Sequence, residues 1–380
     1  MRYIAALYTL CACLITSGCW DKVQLENRGF VSAFGIDAYD AERTTGSALR
    51  LNSPQAYERF VVTVCMPSQG GSEEGGTTTL TAAADALIPA LSLISLGTSQ
   101  DPYYGQTKAI ILGEGLLRDA DLLAQAIDAM ERNREISRKV VVLACRGDAS
   151  EILQAEIKGE QIGMHISNFY NRRNAAMGVA FKKDLESLLK DLRSSGGSVI
   201  PAVAVEDGVI SLSGAAMVSG FELAGWLDDA EVRGLMLARG RGENSHITTG
   251  FDGTRLPLRL SSQRARIKFE RGEFGLICIL NIHAKGSVEE YRANSAQDIS
   301  SPENVARLNK LFAGEIEREI TAAHKRLTQG GVDGLGLLER MRKFNYSLYE
   351  EFVIGEGISF SDITLIPVVD VHVTDVGSIR

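Results

Sequence analysis

Residues 301–329 read SPENVARLNKLFAGEIEREITAAHKRLTQ. Ser301 is a residue type that caps helices, and Pro302 falls in the first turn, where its missing N–H costs no intrahelical bond. Behind them Val305, Leu308, Phe312, Ile316, Ile320, Ala323 and Leu327 recur in steps of three and four residues. One apolar stripe therefore runs down a long helix whose other face is polar. Such a stripe has to bury itself, and the flanking sequence supplies sheet. Val209 to Val218, Arg264 to Phe269 and Phe274 to Ala284 are strand-like, with a hairpin turn between the last two in residues 268–274, KFERGEF. Ile363 to Val373 closes the chain as a strand that Pro367, unable to donate to a ladder, places at an edge. The long helix covers a sheet face.

Working back toward the start, Phe30 to Ile36, Phe60 to Met66, Ala109 to Leu112 and Val140 to Ala144 are short β-branched runs suited to strands. Between them Leu116, Ala120, Leu123, Ile127 and Met130 form one amphipathic stripe. Thr81 to Leu96 reads as a helix kinked near Pro89, and Ala149 to about Leu192 as a second helical region. Residues 70–79, GGSEEGGTTT, carry too many glycines to pack and read as an exposed loop; residues 194–198, SSGGS, read as a linker. Runs of both element types without a regular βαβ rhythm argue α+β.

The first residues bear on where this body works. After Met1-Arg2-Tyr3 the chain is apolar to Ile15, then small through Thr16, Ser17 and Gly18, and reaches Cys19. A spanning helix needs about 20 apolar residues, so the run has the outline of a secretory signal rather than of an anchor. A thiol directly after Ser17-Gly18 is similar to a bacterial lipobox, with cleavage between Gly18 and Cys19 and Cys19 as the lipidation site, although Thr16 stands where that pattern has Leu. The bland alternative is an ordinary cleaved signal with an incidental cysteine. Two or more acyl chains hold a protein firmly at a bilayer surface. The expected organisation is a signal peptide at 1–18, an N-terminal domain at 19–193 with a possible subdivision near 150, a linker at 194–208 and a C-terminal domain at 209–380. That makes two or three mixed α/β domains, each a sheet covered by helices, after an N-terminal lipoprotein signal peptide.

Of the six cysteines, Cys65, Cys145 and Cys278 lie in the body. A Cys65–Cys145 disulfide is open, but the apolar contexts VVTVC and VVLAC suit buried strand thiols better. The formal charge is −8 with 45% hydrophobic and 23% charged residues, a packed globular composition with no overall basic footprint for nucleic acid. His165, His246, His283, His324 and His372 are scattered without metal-ligand spacing, and no G-x-S-x-G, Walker or dinucleotide motif occurs. The acidic pairs Glu73-Glu74, Asp228-Asp229, Glu289-Glu290 and Glu350-Glu351 have no aromatic sugar platform beside them, with aromatics at 7%. We expect no catalytic residues, no metal and no cofactor: the chain does not read as an enzyme.

A specific resemblance then appears. Gly18-Cys19-Trp20-Asp21, Gly29-Phe30-Val31 and Gly35-Ile36-Asp37 resemble the start of mature Ger(x)C spore germination lipoproteins, as do residues 105–116, GQTKAIILGEGL, and Asn133-Arg134-Glu135-Ile136. Leu223-Ala224-Gly225-Trp226-Leu227, Arg233-Gly234-Leu235, Gly286-Ser287-Val288-Glu289-Glu290 and Val332-Asp333-Gly334-Leu335-Gly336 continue the likeness in order. Lys343-Phe344-Asn345-Tyr346 departs from it, standing where the family more often has a proline and a tryptophan. The resemblance implies the C subunit of a nutrient germinant receptor, lipid-anchored to the outer face of the inner spore membrane beside integral membrane A and B subunits, and required for nutrient-triggered germination. The alternative is an extracytoplasmic solute-binding lipoprotein that captures a small ligand in a polar cleft between domains. A cell-wall hydrolase would need facing carboxylates in a groove.

Overall fold

The computed structural model describes residues 27–44, 48–51, 57–68, 77–155, 160–171, 178–273, 275–289 and 299–376. The signal peptide, Gly18 and Cys19 therefore lie outside the described residues, as does most of the glycine-rich stretch at 70–79.

The buried apolar tetrads β6 (Ala109–Leu112) and β7 (Val141–Ala144) are the centre of the first unit. Side chains alternate across a strand, so Ile110, Leu112, Val142 and Ala144 enter one core and Ala109, Ile111, Val141 and Leu143 the opposite one. Strands buried on both faces read as unbroken apolar runs, which is the parallel-sheet signature. β6 accordingly pairs in parallel with β7 and with β2 (Ala33–Ala38). Hairpins extend the sheet on both sides: β3 (Phe60–Pro67) and β4 (Thr77–Ala84) on one, β8 (Gly197–Glu206), β9 (Val209–Ser219) and β10 (Glu222–Leu227) on the other. The order is β10-β9-β8-β7-β6-β2-β3-β4, eight strands in all. β1 (Arg28–Phe30) and β5 (Asp101–Tyr103) make a small separate parallel pair.

Helices cover both faces. On one lie α1 (Leu87–Leu93), α3 (Ala120–Arg132) and α6 (Leu185–Ser195), packing Leu87, Leu91, Leu123, Ile127, Leu188 and Leu189 against Phe34 and Ile36. On the other, α4 (Ala149–Gln154) and α5 (Ile162–Asn171) pack Ile152, Leu153, Ile162 and Ile166. Each such side chain contributes about 1.5–3 kcal/mol when fully buried.

The second unit is a four-stranded sheet, β11 (His246–Phe251), β12 (Thr254–Gly272), β13 (Gly275–Val288) and β14 (Thr364–Val376), in that order. α8 (Pro302–Gln329) lays Leu308, Phe312, Ile316 and Ile320 over Leu258, Leu260, Leu280 and Ile282. Ser301 caps it, accepting from the Asn304 N–H at 3.3 Å. β12 and β13 form the expected hairpin, closing at Gly272 and Gly275. β14 is the edge strand expected from Pro367, and it runs parallel to β13. α7 (Asp229–Ala238) and α9 (Leu337–Phe344) complete this unit. Two helix-covered sheets in one chain are the mixed α/β architecture expected, and the parallel centre of the first is a feature the sequence reading did not anticipate.

Three local expectations are corrected. Residues 194–208 are not a slack linker. They are the end of α6, its αL cap Gly196 at φ 71° and the whole of β8, which pairs with β7 on one side and β9 on the other. The serines there are small because they turn back onto the structure: Ser195 donates to the Asp191 carbonyl at 3.0 Å and Ser198 to the Asp191 carboxylate at 2.8 Å. Thr81 to Leu96 is not one kinked helix either. Thr77–Ala84 is a strand, and Pro89 sits in the first turn of α1, where it is tolerated. Finally, the stripe from Leu116 to Met130 is two helices, because Asp119 ends α2 (Glu114–Leu117) and caps α3 through the Leu122 N–H at 3.0 Å.

Candidate functional site

The groups most able to do chemistry are engaged in structure. Cys65, Cys145 and Cys278 are free, buried thiols. Burial pushes Cys65 and Cys278 up to about 12 and raises Cys145 further still, so none is poised as a thiolate. Among the described residues no group of three or more His, Cys, Asp or Glu side chains converges as a metal site. Asp228 makes a capping box with Glu231 at the start of α7, and Asp229 accepts from Ser213 and from the Gly214 N–H. Glu289 pairs with Arg259 at 2.9 Å and Glu351 with Arg271 at 2.5 Å.

The residues that carry the family likeness are joints. Asp37, at the end of β2, is buried and accepts from the Ala149 and Ser150 N–H groups at 2.7 and 3.1 Å, tying the first turn of α4 to the sheet. Burial raises its pKa to about 7 against the opposing pull of those donors. Trp226, on the edge strand β10, packs against the first core beneath the Arg146 guanidinium, 4.6 Å from the ring centroid. Its carbonyl accepts from Arg326 of α8 at 3.2 Å, so this edge strand links the two units. Arg233 of α7 grips Glu319 of α8 through two bonds of 2.8 and 2.5 Å, with Glu319 only 3% exposed. Beside that pair Gly234 lets the helices touch: a Cβ there would lie 2.2 Å from the Glu319 carbonyl oxygen. Asp333 accepts from the Leu337 and Leu338 N–H groups at 2.8 and 2.9 Å and so starts α9.

Between the units lies a polar pocket of about 290 Å³, its walls drawn from α6 and the segment before it, the end of α7, β12 and α9. Lys183 is buried there and pairs with Asp191, while burial, with Arg239 adding to it, lowers its pKa despite the attraction of Asp191. Arg239 donates to the Gly334 carbonyl at 2.9 Å and lies over the Phe181 ring, 5.5 Å from its centroid. Burial lowers its pKa to about 10, and Arg241 adds to the effect. Lys182, Arg241 and Arg340 complete the basic lining. No sequence motif announced this cluster, because its members come from elements far apart in the chain; the only local sign was Lys182-Lys183 directly after the apolar Phe181.

A second exposed feature among the described residues is one face of the four-stranded sheet. Arg264, Arg266 and Lys268 project from β12, and the apolar Ile366 and Val368 stand 41% and 48% exposed on β14. No helix among the described residues is long and apolar enough to cross a membrane.

The comparisons with known proteins fit this architecture. Residues 21–205 match the family model described as spore germination protein N-terminal domain, and residues 213–377 that described as spore germination B3/GerAC-like, C-terminal. Spore germination protein YndF of Bacillus subtilis is 20% identical over 100% of this chain and 98% of its own length. Spore germination protein KC of the same organism is 22% identical, covering 88% and 86%, and GerQC of Bacillus cereus 20% identical, covering 83% and 87%. The crystal structure of the GerBC protein superposes with a TM-score of 0.60 at 18% identity over 84% of this chain and 96% of that one, which establishes a shared fold. Matched over nearly its whole length by both halves of the family, this chain belongs to the GerAC-type, or Ger(x)C, family of spore germination proteins.

Proposed function

We propose that this protein is the lipid-anchored, non-catalytic subunit of a germinant receptor, required for nutrient-triggered spore germination. In this reading Cys19 carries the anchor, the body stands on the outer face of the inner spore membrane, and it acts by contact with integral membrane A and B subunits. The observation that carries the reading is the match to both family domains in order along the chain. Two structural facts support it: the family-motif residue Trp226 links the two units through Arg326, and among the described residues one face of the four-stranded sheet is open. Solute capture keeps one observation in its favour, the polar pocket between the units, and a receptor subunit can hold such a pocket too.

The test is a pull-down of the tagged full-length protein from detergent-solubilised spore membranes. Co-purification of two integral membrane proteins encoded with it is the expected result. Recovery with a transport permease and no receptor subunits would favour solute capture instead.

A further inference from the structure

We infer that the pocket between the two units binds a small anion carrying at least two negative charges, a di- or tricarboxylate or a phosphate. Its volume of about 290 Å³ sits at the small end of ligand pockets, roughly 300–1,000 Å³. Five cations, Lys182, Lys183, Arg239, Arg241 and Arg340, line it against one carboxylate, Asp191. That carboxylate is already engaged by both Lys183 and the Ser198 hydroxyl. Among the described residues Arg241 and Arg340 make no ion pair, and the neighbouring acid on α9, Glu339, is held by Lys190 at 3.3 Å and Lys343 at 2.8 Å. Cations brought together in a partly dehydrated site repel one another, and a multivalent anion removes that repulsion. Guanidinium forks suit carboxylate and phosphate oxygens because they can donate two parallel bonds.

The net charge of −8 gives the whole chain no general affinity for anions, so binding would have to be local to this site. Because the walls come from both units, a bound anion would add a link between them that the empty protein lacks. Occupancy would then stiffen the junction and favour whichever relative placement of the units best closes on the ligand.

Titration calorimetry on the full-length protein in detergent, at constant ionic strength set with sodium chloride, tests this with citrate and with inorganic phosphate as separate probes. Saturable binding of at least one is expected, with the stronger of the two distinguishing carboxylate from phosphate recognition. The double variant Arg241→Gln/Arg340→Gln, altered at exposed residues, should weaken it at least tenfold. Arg266→Gln, on the open sheet face, should leave it unchanged. The inference is overturned if neither probe binds, if the double variant binds as well as the parent, or if Arg266→Gln weakens binding as much as the double variant does.

Discussion

At the scale of single residues, Cys19 and Asp37 make the most distinct predictions. If Cys19 is the acyl acceptor, Cys19→Ala abolishes incorporation of labelled fatty acid and releases the protein from membranes, because no other thiol stands at the processing site. Unchanged labelling contradicts the lipobox reading. Asp37 predicts a pH effect. Its folded-state pKa of about 7 lies above the ordinary 3.8, so between those values the native protein holds a proton that the unfolded chain has lost. The stabilising contribution is complete below about pH 4 and is lost as pH rises toward and through 7. Asp37→Asn, which cannot ionise, should flatten that slope in urea denaturation series run from pH 4 to 8; an identical slope in both proteins would show that Asp37 ionises normally. The sequence offered Asp37 only as part of a family motif. Its role depends on Ala149 and Ser150, more than a hundred residues away, and no local pattern encodes that contact.

At the scale of elements, the contact of α7 with α8 sets a clear test. Replacing a helical glycine by alanine gains about 1 kcal/mol of helix propensity, whereas overpacking a close contact costs about 1–3 kcal/mol. At Gly234 the obstacle is a backbone carbonyl 2.2 Å from the new Cβ, which cannot rotate away, so the cost wins. Gly234→Val should therefore lower the urea midpoint by the equivalent of about 2 kcal/mol or more, and a neutral result would mean the helices are not in contact there. Removing one side of the buried Arg233–Glu319 pair by Glu319→Ala should cost about 3–5 kcal/mol in the same assay, since it leaves a partly buried guanidinium unpaired. The segment at 194–208 predicts resistance: Ser194 and Ser195 end α6, and β8 pairs along its length with β9 and at Ala202 with β7, so limited proteolysis should spare it, and early cuts at Ser194 to Ser198 would restore the linker. These elements also show where the sequence was legible. The stripe of α8, its Ser301-Pro302 start and the edge strand marked by Pro367 are periodicity and cap signals contained within one element. Residues 194–208 misled because serine and glycine look alike in a slack linker and in a tight helix-to-strand passage, and only the partners of Ser195 and Ser198 tell the two apart. The five basic residues of the junction pocket did not read as one site for the same reason, being assembled by packing between units.

At the scale of the whole molecule, two helix-covered sheets meet at a junction that includes the Trp226–Arg326 contact, with one sheet face open among the described residues and a basic pocket at the junction. Such a body offers surfaces for contact, which supports the proposed role of a receptor subunit. A cortex-degrading enzyme would act downstream of every trigger, and a solute importer would change uptake rather than germination. The direct test is deletion in a strain lacking redundant receptors, with spores challenged by nutrient and, separately, by exogenous calcium dipicolinate, which bypasses receptors. Loss of the nutrient response with the calcium dipicolinate response intact is the predicted result; equal impairment of both would contradict the receptor role.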